Sequence, residues 1–403
     1  MNTTRTNAWK RAQLCANAIR ENLRTFWVTV EENGRNRADL LRESEELFAT
    51  LSENRREEIF GMAEGSGCPA NELFAFNTYG PMLQPEGCTV FFAAGKSSAT
   101  GATIHGKNSD KGGDLQLTDG ERCVNFHEIN VVSWFDNEDG SHVIGVSAAG
   151  STGIKMGMNS HGVTASTNYG YTTLARNRKL SVKDRFAGDR AQIARDALQK
   201  KTALEAAQYA AQLLLAHPMA TSGMLEFGDA DSVYVVENAY EYLAIHKVTD
   251  AADSRSNYLE TLGYLNEEGS ASCYCRYHRS QKLIKEVEGH ATVEDLKRIS
   301  MDHYDGTGSN GICRHTPGLE SSTQASAVME VCREAPERSV IHIALGKPCS
   351  AWRNDDGHIS IPMDMKPEEI PEEFLRGDAY VKYGFAEPVL GEGDRVNTKG
   401  DIA

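Results

Sequence analysis

The chain has 403 residues, of which 40% are apolar and 25% charged, and its net charge is −15. A chain this long can bury a large core without disulfides or a structural metal. Its acidity argues against a general nucleic-acid binder or a protein held on anionic membranes.

Nine cysteines, odd in number and widely scattered, show no disulfide framework and fit reduced thiols in a cytosol. The opening MNTTRTNAWKRAQL has no apolar signal core, and no run of about eighteen apolar residues could span a bilayer. A cytoplasmic protein without membrane or nucleic-acid partners is expected, and a homo-oligomer is left open.

Apolar residues at helical spacing (Trp9, Ala12, Ala16, Ile19, Leu23, Trp27) predict an amphipathic helix over 8–31. Leu40, Leu41, Leu47, Leu51, Ile59 and Phe60 predict a second over 36–64. Gly65-Ser66-Gly67-Cys68-Pro69 is a stop signal, and a short helix follows over 71–76. Pro81, Pro85 and Gly87 predict an exposed, irregular connection before Cys88. Residues 1–87 thus read as a helical segment.

After Cys88 the texture changes. TVFFAAG, ATIHGKN, CVNFHEINVVSWF, HVIGVSAAG, IKMGMNS and GVTASTNYG are short β-rich runs between turn residues, which predicts antiparallel strands and not βαβ units. Residues 188–216 are Ala-rich and helical, and 223–246 predict a hairpin turning at Asp229-Ala230-Asp231. Helices are expected over 276–287 and 292–301, and a late strand over 339–346. The tail after Trp352 is expected to wrap the surface. Helices, strands, helices and strands again predict an α+β fold with sheets face to face and helices outside.

Gly87-Cys88 organises the chemistry. A lone Gly-Cys is usually just a buried cysteine at a strand start. If the bond between them were cut by the protein itself, however, Cys88 would carry a thiol and a free α-amine on one residue. An N-terminal amine can activate the side chain beside it. Reference pKa values of about 8.5 for the thiol and about 7.7–8.0 for the amine put both near neutrality.

GCTVFFAAGKSSATGATIHGKNSD resembles the start of the catalytic chain in the acyl-coenzyme A:6-aminopenicillanic acid acyltransferase family. These are isopenicillin N acyltransferase-like, autoproteolytic N-terminal nucleophile hydrolases, related more distantly to penicillin V acylases and bile salt hydrolases. EEIFGMAEGSG and NELFAFNTYG upstream, then SAAGSTGIKMGMNSHGVTASTNYG, SRSNYLE, RYHRSQKLI and ICRHTP downstream, recur in the family's order.

The resemblance implies a four-layer αββα fold with two packed antiparallel sheets. Residues 1–87 would be a propeptide-derived α chain, and residues 88–403 a catalytic β chain that stays associated with it in one compact domain. Autocleavage falls between Gly87 and Cys88, with Cys88 the nucleophile. In Lys107-Asn108-Ser109-Asp110, the resemblance gives Asp110 the carboxylate that orients the amine. It implies oxyanion donors at Asn168 and Asn257, and substrate contacts from Lys107, Tyr169 and Arg314. The bile salt branch commonly carries Arg where Lys107 stands, and the family usually carries His where Tyr258 stands.

The implied reaction is cleavage or transfer of an acyl group at a small amide bond through an acyl-Cys88 intermediate, without a cofactor. The alternatives are an acyl-coenzyme A-dependent amine acyltransferase, a hydrolase of this fold that never cleaves itself, and a degenerate binding protein. Cys273-x-Cys275-x-x-His278, with His290, His303 and His315 downstream, superficially suggests zinc. The first pair lacks the usual gap and no second pair matches, so no metal is expected.

Overall fold

The computed structural model describes residues 3–83, 86–111, 116–119, 122–125, 128–174, 186–219, 221–267, 271–303, 308–315, 322–349 and 358–379. Five helices come first: α1 (Thr3–Leu14), α2 (Ala16–Glu32), α3 (Arg37–Phe48), α4 (Glu53–Ser66) and α5 (Ala70–Leu83). Each long predicted helix is therefore broken in two. Cys15, at φ −109° and ψ 27°, interrupts the first. The second stops at Phe48 and restarts beyond Ser52, whose hydroxyl accepts from the Arg55 N–H as an N-cap. Gly67, at φ +72°, ends α4 in the left-handed conformation that glycine adopts without steric cost.

Two antiparallel sheets follow. The six-stranded sheet contains β1 (Glu86–Ala93), β2 (Ile104–Lys111), β12 (Ala252–Arg255), β13 (Ser322–Glu330), β14 (Val340–Leu345) and β15 (His358–Pro362), in the order β12-β1-β2-β13-β14-β15. The seven-stranded sheet contains β5 (Asn130–Asp136), β6 (His142–Ala148), β7 (Met156–Asn159), β8 (Thr164–Gly170), β9 (Ser222–Gly228), β10 (Ser232–Ala239) and β11 (Tyr242–Thr249), which run β11-β10-β9-β8-β7-β6-β5. A small hairpin joins β3 (Gln116–Asp119) to β4 (Arg122–Asn125).

At the β9–β10 turn the Asp229 carboxylate accepts from the N–H groups of Asp231 and Ser232, which explains the turn read there. β15 and helix α10 (Glu372–Arg376) place part of the tail inside the fold, whereas a surface wrap was expected.

The layers follow from strand alternation. Val90 and Phe92 point between the sheets and meet Met224, Val233 and Val235. Farther along the same interlayer, Ala325, Ala327, Met329, Ile341 and Ile343 meet Val146, Met156 and Met158. On the outer face of the six-stranded sheet, Phe91, Ile104 and Val328 pack on α8 (Ala271–Glu286) and α9 (Val293–Ser300) through Ile284, Leu296 and Ile299. The other outer face packs on α6 (Arg190–Ala197) and α7 (Ala203–Ala216). The result is the α+β, αββα layering that the sequence suggested.

The five N-terminal helices form a further apolar cluster around Ile19, Phe26, Leu47, Phe74 and Tyr79, which also takes in Val131, Ala148 and Ala149. Among the described residues, no helix is long and apolar enough to cross a membrane.

Candidate active site

Gly87 and Cys88 lie in β1, buried and regularly paired, Gly87 opposite Asp110 and Cys88 opposite Ser109 on β2. This corrects the irregular, exposed connection expected at Gly87. A β-strand starts at Glu86 because the ladder to β2 supplies partners for its backbone.

Alternation sorts the site into two faces. Cys88, Ser109 and Lys107 point between the sheets and line a cleft, whereas Gly87 and Asp110 face the α8–α9 layer. The cleft is narrow, leaving about 50 Å³ in which the centre of a water-sized sphere can move. Phe76, Ala148, Tyr169, Phe186, Ala191 and Met219 give it an apolar wall. Phe76, Asn77 and Thr78 reach it from α5, so the N-terminal helices build part of the site.

The amide of Cys88 is held directly. Its N–H donates to Asn257 Oδ1 at 2.9 Å. Arg276, only 1% exposed, donates to the same Oδ1 at 2.7 Å, to Thr89 Oγ1 at 3.0 Å and to the Cys88 carbonyl. The two asparagines form a reciprocal clasp between β8 and the segment after β12. Asn257 Nδ2 donates to the Tyr169 carbonyl at 2.8 Å, and Asn168 Nδ2 donates to the Ser256 carbonyl at 3.1 Å. A side-chain amide has two N–H donors, so each clasp bond uses one of them.

Asp110 is buried, accepts from Thr323 Oγ1 at 2.7 Å, and pairs with Arg314 Nη1 at 3.5 Å. Both lie against Gly87. A Cβ built there would stand 2.3 Å from Arg314 Nη1 and 3.1 Å from Asp110 Oδ2. The structure thus brings Asp110 and Arg314 to the N-terminal side of the Gly87–Cys88 bond, on the sheet face opposite the sulfur.

Lys107 lines the cleft, with its ammonium donating to the Lys155 and Thr167 carbonyls and to Thr167 Oγ1. Tyr169 lines it too.

Sequence reasoning missed one group. Lys111 and Lys155 both donate to Glu128 in the cleft wall, at 2.9 and 2.5 Å. Burial pushes the Glu128 carboxyl up, but the two ammonium groups outweigh it and hold the carboxyl at about 2. Sequence reasoning also assigned no role to Arg276, although it sits at the centre of the site. No local motif announces either, because the partners that fix them at the site are 17 to 188 positions away.

No protein-family model matches the sequence, and no curated protein matches it. Among solved structures, the chain is similar to a Caenorhabditis elegans ortholog of N-acylethanolamine-hydrolyzing acid amidase, with 17% identity, a TM-score of 0.40, and 68% of this chain and 100% of that one covered. A mutant conjugated bile acid hydrolase from Clostridium perfringens gives 11% identity and a TM-score of 0.41, covering 78% of this chain and 100% of that one. Another variant of that hydrolase, also from Clostridium perfringens, gives 12% and 0.40, covering 69% of this chain and 93% of the other.

Proposed function

We propose that this chain cuts its own Gly87–Cys88 bond and then acts as an N-terminal cysteine amidohydrolase on a small amide. The observation that carries the reading is the cysteine in the cleft wall, its backbone nitrogen anchored by Asn257 and two asparagine amides clasped beside it.

In self-cleavage the Cys88 sulfur attacks the Gly87 carbonyl and the acyl group moves from nitrogen to sulfur. The nitrogen leaves as the new α-amine, and water hydrolyses the thioester. Gly87 fits this step because its lack of a Cβ lets Arg314 and Asp110 close on its backbone. Once Gly87 departs, Asp110 borders the amine, and a carboxylate there favours and orients the ammonium form.

In catalysis the α-amine takes the thiol proton, the sulfur attacks the substrate carbonyl, and the amine returns the proton to the leaving nitrogen. The remaining N–H donors of Asn168 and Asn257 stabilise the oxyanion, each such donor being worth roughly 3–4 kcal/mol. Water then releases the acyl group.

The apolar wall suits an acyl chain. The described lining also carries Lys107, Lys111, Lys155 and Arg190 against Glu128 and Asp189, which favours a substrate with a carboxylate. Arg314, beside the space Gly87 leaves, is a second contact for such a group.

Intact-mass analysis tests the first step. Two associated polypeptides, 1–87 and 88–403, are expected, with a single full-length species for Cys88→Ala. Release of free amine from N-acyl amino acids and short acyl amides, absent in Cys88→Ala, tests the second. An uncut wild type whose amidase activity survives Cys88→Ala would overturn the proposal.

A further inference from the structure

Four metal-type ligands converge behind the site, and only two of them, His303 and His315, belong to the set that the sequence spacing suggested. His303 follows α9, Cys313 and His315 precede β13, and Cys349 follows β14. Their donor atoms all lie within 4.8 Å of one another. His315 Nε2 is 3.1 Å from Cys349 Sγ and 3.5 Å from Cys313 Sγ, and the two histidine rings are 5.2 Å apart. His303, Cys313 and Cys349 are buried and His315 is half-buried. Of the residues weighed from sequence, His303 and His315 take part, whereas Cys273, Cys275, His278 and His290 do not belong to the group.

We propose that His303, Cys313, His315 and Cys349 bind one structural zinc ion. Zinc in such a site takes nitrogen at about 2.0–2.1 Å and sulfur at about 2.3 Å in a tetrahedron, whose edges are then about 3.3–3.8 Å. The two separations from His315 Nε2 lie close to those edges, and the widest in the group, within 4.8 Å, closes by about 1 Å on an ion. Both cysteines lose their protons on binding while both histidines stay neutral, so the two positive charges of the ion cancel the two thiolates. A neutral centre avoids the cost of burying a net charge.

The position gives the metal a purpose. Arg314 lies between two of the ligands and reaches Asp110 and the Gly87 backbone. Its backbone N–H donates to Thr323 Oγ1 at 2.9 Å, and the same oxygen donates to Asp110. The Cys313 N–H donates to the Asp302 carbonyl, next to His303. An ion here pins three separate stretches of chain and with them the Arg314–Asp110 pair. The assignment stands independently of the proposed amidase activity.

Metal analysis of the full chain, purified without chelator, tests it. About one zinc per chain is expected, lost in Cys313→Ser and Cys349→Ser and retained in Cys332→Ser. Because the variants could fail to fold, wild-type protein stripped by a chelator and loaded with Co²⁺ supplies a second measurement. Thiolate-to-cobalt charge transfer and intense tetrahedral d–d bands should appear with a one-to-one endpoint. Wild-type protein that takes up neither ion, or a Cys313–Cys349 disulfide in the mass of the unreduced protein, would overturn the assignment.

Discussion

Glu58 offers a sharp test of how the N-terminal helices are held to the body. It lies on α4, is 1% exposed, and faces three arginines: Arg11 at 2.9 Å, Arg55 at 2.9 Å and Arg195 at 2.5 Å. Arg195 belongs to α6, so this cluster crosses from the segment before the proposed cut to the segment after it. Burial pushes the Glu58 carboxyl up, yet Arg195, Arg55 and Arg11 together bring it from an ordinary 4.5 to about 2.

That difference corresponds to about 3 kcal/mol of stability at pH 7. Removing one partner from a buried cluster typically costs about 3–5 kcal/mol, which agrees. Because the folded-state value is depressed, the contribution is complete above about pH 4.5 and is lost as pH falls through about 2. At pH 3 it should be down to about 1 kcal/mol.

Urea unfolding of wild type and Glu58→Gln, followed by circular dichroism at pH 7 and pH 3, reads both numbers. Gel filtration of the cut protein should show the variant shedding residues 1–87 more readily. A loss below about 1 kcal/mol at pH 7, or a loss that does not change between the two pH values, would refute the reasoning.

Gly87→Ala should slow self-cleavage strongly, since the new methyl meets Arg314 Nη1; Gly87→Ala with Arg314→Ala should recover part of the rate, as read by the fraction cut over time. Asn168→Ala and Asn257→Ala should each lower kcat by roughly 10²–10³-fold. Of the two, Asn257→Ala should also impair cutting, because Asn257 Oδ1 accepts from the Cys88 N–H. Glu226, buried between the sheets with Ser166 donating to it at 2.6 Å, has its carboxyl raised by burial. Its stabilising share is therefore present at low pH and lost as pH rises from about 4.5 through the raised value. Glu226→Gln should flatten that slope in thermal melts between pH 4 and pH 8.

Local and sequential features were legible. The switch from helical to alternating patterning at Cys88, the Asp229 turn and the helices near 276 and 292 all follow from period and cap chemistry over a few residues. The break at Cys15 has no Gly or Pro to announce it, and the Ser52 cap was present in the sequence but hidden inside a continuing apolar period. Cys88, Asp110, Asn168 and Asn257 are named through the family resemblance, which carries the order of residues but no register. That Cys88 and Asp110 occupy opposite faces depends on the register of β1 on β2, which pairs Cys88 with Ser109 and not with Asp110. Glu128 between Lys111 and Lys155, and the four ligands spread from 303 to 349, are assembled by folding alone.

The proposed cut is best understood through what holds the two products together. Freed of its bond to Cys88, the N-terminal segment could leave only by giving up the apolar cluster it shares with Val131, Ala148 and Ala149. It would also lose the Asn77 bonds to the Gly150 carbonyl and the Thr152 N–H, at 2.8 Å each. Phe76, Asn77 and Thr78 would go with it from the cleft wall. Cleavage therefore has to free the amine of Cys88 without freeing the helices, and the arrangement meets both needs. The severed bond lies at the start of β1, where the departing end is only the short stretch after α5, while the anchoring contacts lie upstream in α2, α4 and α5. A protein in which the cut released the helices would expose the wall that its substrate needs, so persistence of the 1–87 segment in the active form is a requirement of the site itself.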